Sequence, residues 1–246
     1  MRFRADLLQV VGRNLVGIYL FGSVAFPRFE PWSGDIDFYV VLKRTLSNNQ
    51  RKALAGVHRT IARRFRFGEK IDGYYIPISK AKKGSVPNGL VYGANGSLHL
   101  NGRDDSWALH REHMLKGACI VLYGPNPKTI LPRPSWDEIE RALRGEVRFA
   151  RRTMRKYPFW AVLNFTRLMY SYGKRRVVVS KIQSSQWALK TLASRWRPLI
   201  RSALRFYFRK QSQRDVRLLK NNAKPFMKFA INQISRTEAH SRKDTM

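Results

Sequence analysis

Cysteine is almost missing from this 246-residue chain: Cys119 stands alone. No internal disulfide framework can form, and no Cys/His spacing suggests zinc. Long apolar runs are missing too, none approaching the ~20 residues a membrane-spanning helix needs. The start, Met-Arg-Phe-Arg-Ala-Asp, has neither the apolar core of a signal peptide nor a cleavage site. A soluble, cytoplasmic protein with no membrane partner is expected. Acidic residues are scarce, 16 against 48 Lys and Arg, for a formal net charge of +32. Such a field attracts polyanions, nucleic acid among them, without choosing between them, and repels polycationic small molecules. A solvated basic exterior would give the same composition. At 43% hydrophobic and 12% aromatic the chain is nonetheless globular, long enough for one large domain or two modest ones.

Where acids are scarce, two of them two residues apart stand out. Val16 to Phe21 is a short apolar run that breaks at Gly22-Ser23, a buried strand entering a tight turn where glycine lets the backbone approach a ligand. After a loop holding Pro27, Pro31 and Gly34, the β-branched and aromatic run Ile36 to Leu42 predicts a second strand opened by Asp35 and Asp37. Positions two apart in a strand point the same way, so both carboxylates converge beside the turn. Hard oxygen ligands of this kind suit Mg²⁺, which binds one or two carboxylates together with substrate phosphates. An ordinary turn and an exposed strand end are the plain alternative for either dipeptide taken alone.

The rest of the first half alternates strands and helices. A short helix over 5–13 leads in; Ser47 caps another whose residues Leu54, Val57, Ile61 and Phe65 recur at helical steps. Lys70 to Ile78 reads as a strand with Asp72 near its start. Beside the acidic strand, Asp72 could face the same cleft and accept a proton from an attacking hydroxyl; a solvent-facing acid at a strand edge fits the sequence equally well. Residues 79–105 read as loop, with a short strand at Leu98-His99-Leu100. Asp104 and Asp105 read as helix-start charges before Ser106, the expected cap. A helix over 107–116 carries His110 and His113 on one face with no acid positioned to complete a metal site, and a final strand over 118–123 ends at Gly124-Pro125.

Four prolines between 125 and 134 mark the boundary between a domain over 1–124 and a helical domain over 135–235. Ser135 to Glu138 is a capping box. Helices follow from 158, 180, 198 and 215, the last interrupted near Pro225, and the tail from Arg236 is expected to be disordered. Arg141, Arg144, Arg148, Arg151, Arg152 and Arg155 lie on one side of the first helix. Arg197, Arg201, Arg205 and Arg209 recur every fourth residue in another. Like charges so spaced invite an anionic partner as readily as they make a solvated face. Trp196, Phe206, Tyr207 and Phe208 could stack bases or fill a bundle core.

From about residue 15 to 234 the chain resembles the aminoglycoside nucleotidyltransferases of the streptomycin/spectinomycin adenylyltransferase kind, within the nucleotidyltransferase superfamily. The matching pieces are Tyr-Leu-Phe-Gly-Ser at 19–23, Asp-Ile-Asp at 35–37, Ile-Asp-Gly-Tyr-Tyr-Ile-Pro at 71–77 and Leu-Tyr-Gly-Pro at 122–125. Looser ones follow at 168–173, 179–181, 187–189 and 197–200. The resemblance implies a mixed-sheet α/β nucleotidyltransferase domain followed by an all-α bundle, acting as a monomeric enzyme. It implies ATP contacted at Gly22, Ser23 and Ser33, and cationic phosphate contacts from the region of Lys190, Arg201 and Arg205. Mg²⁺ would be held by Asp35 and Asp37, with Asp72, where the family more often has Glu, in the place of the carboxylate that completes the acidic triad and activates the acceptor hydroxyl. The reaction would pass AMP to a small-molecule hydroxyl, an aminoglycoside in the family. Residues 158–213 contain no acid to hold a drug's ammonium groups. The same chemistry on RNA or another polyanion, or a non-catalytic nucleic-acid-binding protein on this fold, is the alternative.

Overall fold

The computed structural model describes residues 2–92 and 98–243, with nothing said of the side chains of 88–103 and 240–243. Contacts divide the chain into two units, Met1–Ile139 and Glu140–Met246.

In the first unit α1 (Arg2–Val11) leads into β1 (Leu15–Phe21), then β2 (Ile36–Leu42), α2 (Asn48–Arg64), β3 (Ile71–Pro77) and the single turn α3 (Ile78–Ala81). After these come β4 (Asn88–Tyr92), β5 (Leu98–Arg103), α4 (Trp107–Leu115) and β6 (Cys119–Tyr123). The six strands form one sheet in the order β5-β4-β3-β2-β1-β6. It is mixed: β2 and β3 run parallel, joined through α2, and the other neighbours are antiparallel.

Strand alternation sorts the residues onto two faces. Ile18, Leu20, Phe38, Val40 and Leu42 pack with Leu7 and Val11 of α1 and Leu54 of α2. Tyr19, Phe21, Tyr39 and Val41 pack with Trp107 and Met114 of α4, and the Tyr39 and Trp107 rings stack 4.5 Å apart. Full burial of each large apolar side chain contributes about 2–3 kcal/mol. Asp37 shares the parity of Tyr39 and Val41, which puts it on the α4 face. The capping box at Ser47 is completed by Gln50: Ser47 Oγ accepts from the Gln50 N–H at 3.3 Å and the Gln50 side chain accepts from the Ser47 N–H at 3.1 Å.

Two expectations for this unit change. The segment read as loop over 79–105 contributes β4 besides the short strand expected at 98–100, which runs as β5 to Arg103, because pairing of β4 to β3 and to β5 satisfies their backbones. The proline-rich stretch is no loose linker. Ile130 and Leu131 are buried in the core, the Arg111 guanidinium donates to the Pro132 carbonyl at 3.3 Å and pairs with Glu138, and the division of contacts falls beyond it.

That division lies inside α5 (Trp136–Thr153), which opens on the expected box: Ser135 Oγ accepts from the Glu138 N–H and Glu138 accepts from the Ser135 N–H. In the second unit α6 (Pro158–Lys174), half of whose residues are buried, packs against α7 (Lys181–Thr191), α8 (Arg197–Tyr207) and α9 (Gln213–Lys243). Pro225 does not interrupt α9, and the segment from Arg236, expected to be disordered, continues the helix to Lys243. The reason is a continuous buried stripe, Leu219, Ala223, Phe226, Ala230 and Ile234, whose packing outweighs the ~3 kcal/mol that proline costs inside a helix. Trp196, against Phe226 and Phe229, and Tyr207 are buried and so belong to the core, while the half-buried Phe206 stacks on Phe159. No helix among the described residues is long and apolar enough to cross a membrane.

Candidate active site

Register brings the acids together. Phe21, last of β1, lies opposite Asp37, and Asp37 lies beside Asp72 across the parallel β2–β3 pair. The chain turns at Gly22, whose φ of +68° only glycine adopts freely. A Cβ there would stand 2.1 Å from Asp37 Oδ2, so the bare backbone is what admits the carboxylate. Ser23 Oγ donates to the Asp35 carbonyl at 3.0 Å, tying the turn to the residue that precedes β2. Lys70 Nζ, at the foot of β3, donates to the Trp32 carbonyl at 2.9 Å and reaches the Gly34 carbonyl at 3.5 Å. The Ser33 and Gly34 N–H groups both donate to the Glu30 carbonyl, closing the loop. Two side chains, Ser23 and Lys70, thus fix the loop that presents Asp35.

The electrostatics follow from crowding. Burial foremost, then the negative charges of Asp35 and Asp104, push the Asp72 carboxyl up to about 6, against the opposing pull of His110 and the Gly73 N–H. Burial, with Asp104, Asp72 and Asp37 nearby, also drives the Tyr74 hydroxyl far above its ordinary range. A buried carboxyl raised by the acids around it is short of positive charge, the condition a divalent cation relieves. Among the described residues no three His, Cys, Asp or Glu gather closely enough to cage a metal unaided.

Sequence reasoning missed Asp104 and His110. Asp104 is only 5% exposed; its Oδ1 accepts from the Ser106 N–H at 2.9 Å, and its Oδ2 lies 2.8 Å from His110 Nδ1. Ser106 stands at the N-cap of α4 as expected, although its side chain makes no cap bond, and the acid thought lacking beside His110 is present as Asp104. Nothing in an Asp-Asp-Ser run announces burial; an Asp two residues before a helix with a His in its second turn is the one available signal. The His110 ring leans on Phe21 at 4.8 Å, placing this pair on the face that carries Asp37.

The cations named from sequence lie in the second unit. Lys190, on α7, and Arg201, on α8, are exposed. Arg205 has a structural task instead: its Nε donates to Asp215 Oδ2 at 3.0 Å, a second nitrogen pairs with Asp215 Oδ1, and it reaches Ser202 Oγ at 3.2 Å. Asp215 in turn accepts from the Ser212 N–H and hydroxyl at the start of α9, and these bonds hold its carboxyl far below the usual range, the Arg205 bond most of all.

Residues 129–233 match the family model "Aminoglycoside adenylyltransferase, C-terminal domain". No curated protein matches the chain by sequence. The chain is similar to the crystal structure of spectinomycin adenyltransferase AAD(9) from Enterococcus faecialis with ATP and spectinomycin, with a TM-score of 0.78 and 16% identity over 95% of this chain and 97% of that one. Residues 129–233 are thus similar to the C-terminal domain of the aminoglycoside adenylyltransferases, and the chain as a whole has the fold of the aligned adenyltransferase, a mixed-sheet α/β nucleotidyltransferase fold with a helical C-terminal region.

Proposed function

We propose that the protein is a Mg²⁺-dependent adenylyltransferase that moves AMP from ATP to a hydroxyl of a small-molecule acceptor and releases pyrophosphate. The observation that carries the reading is the in-register pair Asp37 and Asp72 beside a turn whose Gly22 is shaped around the Asp37 carboxylate. Asp35 and Asp37 would hold the metal, which when bound supplies charge neutralisation on the phosphate oxygens. Ser23 and the backbone at Gly22 face the phosphates. Asp72, raised to about 6, is matched to neutral pH as the base that takes the acceptor's proton. Its neighbours Asp104 and His110 set its charge surroundings.

The aligned enzyme holds spectinomycin, so aminocyclitols are the first acceptors to offer. The test is transfer of label from α-phosphate-labelled ATP, with Mg²⁺, to spectinomycin, streptomycin and total RNA in parallel, with Asp37→Ala as the blank. Label on a drug that vanishes in the blank is expected. Label on RNA alone would move the acceptor to a polyanion while keeping the chemistry. Failure to bind Mg²⁺-ATP at all would overturn the enzyme reading.

A further inference from the structure

The net charge is distributed unevenly. From Glu140 onward the chain holds 27 Lys and Arg against 5 Asp and Glu, a difference of 22 out of the total +32. The four described acids of this unit are already engaged. Glu140 and Glu238 flank Arg144 at 3.5 and 3.7 Å, Glu146 takes Arg167 and Asn164, each at 3.3 Å, and Asp215 takes Arg205.

What remains along α5 and the turn that follows it is a row of cations. Arg141, Arg148 and Arg152 follow one another at steps of seven and four, within about 40° around the helix, with Arg151 and Arg155 flanking them. All five are exposed, and none forms an ion pair among the described residues. Gly145 leaves the middle of the row bare: the one heavy atom near a Cβ placed there would be Arg148 Nη2, at 3.8 Å. Like charges at these spacings repel, and an anion laid along them relieves the strain.

Aromatic rings border the row. Phe149 is 44% and Tyr157 45% exposed, in a unit whose other rings are buried or half-buried. The edge of Phe149 meets Trp160 at 5.5 Å, Lys181 Nζ stands 5.3 Å over Trp160, and Lys156 Nζ stands 5.2 Å over Tyr157. Guanidinium groups that take phosphates, beside half-exposed rings that take bases, form the arrangement that binds single strands without reading sequence. A lipid surface would need a free apolar helix face, and that of α5 is spent: Ala142, Leu143, Ala150 and Met154 are buried.

We propose that the exposed face of α5, with Arg141, Arg148 and Arg152 as its spine and Phe149 and Tyr157 as stacking platforms, binds single-stranded RNA. The proposal does not rest on the chemistry of the acids of the first unit.

Fluorescence anisotropy of the full chain with a labelled oligouridine of about a dozen nucleotides, titrated between about 50 and 200 mM salt, tests it. With five arginines engaged, log affinity falls against log salt with a slope of about −3.5. Arg148→Glu/Arg152→Glu weakens binding at least about tenfold and flattens the slope by about 1.4. Phe149→Ala costs about fivefold or more on oligouridine and nothing on inorganic polyphosphate, which has the charge and no bases. Arg148→Gln/Arg152→Gln repeats the loss without charge reversal, and melting curves confirm that each variant is folded. The proposal is overturned by oligouridine binding unchanged in the double variants, by Phe149→Ala affecting neither ligand, or by a protein that pellets with phosphatidylserine vesicles while leaving the oligonucleotide free.

Discussion

Replacing Asp72 with Asn should make the protein more stable and inactive at once. The Asp72 carboxyl, ordinarily at 3.8, is raised to about 6 in the folded chain, by burial first and then by Asp35 and Asp104. Below about pH 4 the carboxyl is protonated folded and unfolded alike, and costs nothing. Between about 4 and 6 the unfolded chain releases the proton while the folded chain keeps it, so stability falls as pH rises, and above 6 the whole penalty stands. That rise corresponds to about 3 kcal/mol; partial solvent access trims the expected effect to about 2 kcal/mol. Asn has the same shape and no charge, so at pH 7.5 in metal-free buffer Asp72→Asn should melt about 4–8 °C above the parent. At pH 4 the two should coincide. Saturating Mg²⁺-ATP should shrink the gap, because bound cation relieves in the parent the repulsion that Asn removes. Scanning calorimetry at both pH values is the assay, with label transfer measured alongside. Equal melting at pH 7.5 would refute the crowded-acid account of the site, and undiminished turnover would remove Asp72 from the base position.

Gly22→Ala tests the other half of the site. A methyl 2.1 Å from Asp37 Oδ2 forces the carboxylate back by about 1 Å, a displacement able to cost on the order of 100-fold in rate. The positive φ adds about 1 kcal/mol of strain. Turnover within threefold of the parent would mean the turn does not position Asp37. Asp215→Ala should lower stability by about 2 kcal/mol, since Arg205, Ser202 and Ser212 lose their common acceptor at the start of α9. Because the Asp215 carboxyl is depressed in the folded state, its contribution is complete above about pH 4 and drains away as pH falls further. Urea midpoints for the parent and Asp215→Ala should therefore draw together in acid, and a constant gap would refute the linkage.

The parts legible in the sequence are those set by local rules. Apolar, β-branched and aromatic runs mark β1, β2 and β3; the Ser47 cap and the Ser135 box each hold the helix starts they announce. Asp37 and Asp72 were legible because a strand's direction and a residue's parity survive any tertiary arrangement. What the sequence hid depends on partners far along the chain. The five-residue β4 is too short to carry a pattern of its own and exists because β3 offers it an edge. Pro225 looks like a breaker until the stripe from Leu219 to Ile234 is seen to be buried on both sides of it. Arg205 matched the cationic region by position, yet a buried acid ten residues on claims its guanidinium.

Asp104 shows the limit most plainly, and its misreading has a consequence for the site. A helix-start carboxylate is ordinarily solvated, and the Asp104-Asp105-Ser106 run offers no hint that the first acid is buried while the second is exposed. Burial follows from β5, which delivers the chain to α4 beside the sheet, and from His110, whose ring meets Asp104 on one side and Phe21 on the other. Once buried there, Asp104 adds its charge to that of Asp35 and helps keep Asp72 protonatable near neutrality. The reach of the candidate base is thus written in the 35–72 segment, but its proton affinity is set in part by residues 104 and 110. A reading confined to the Gly-Ser and Asp-x-Asp signature would place the carboxylates correctly and assign Asp72 the acidity of a free aspartate, which would leave it a poor match for accepting a proton at neutral pH.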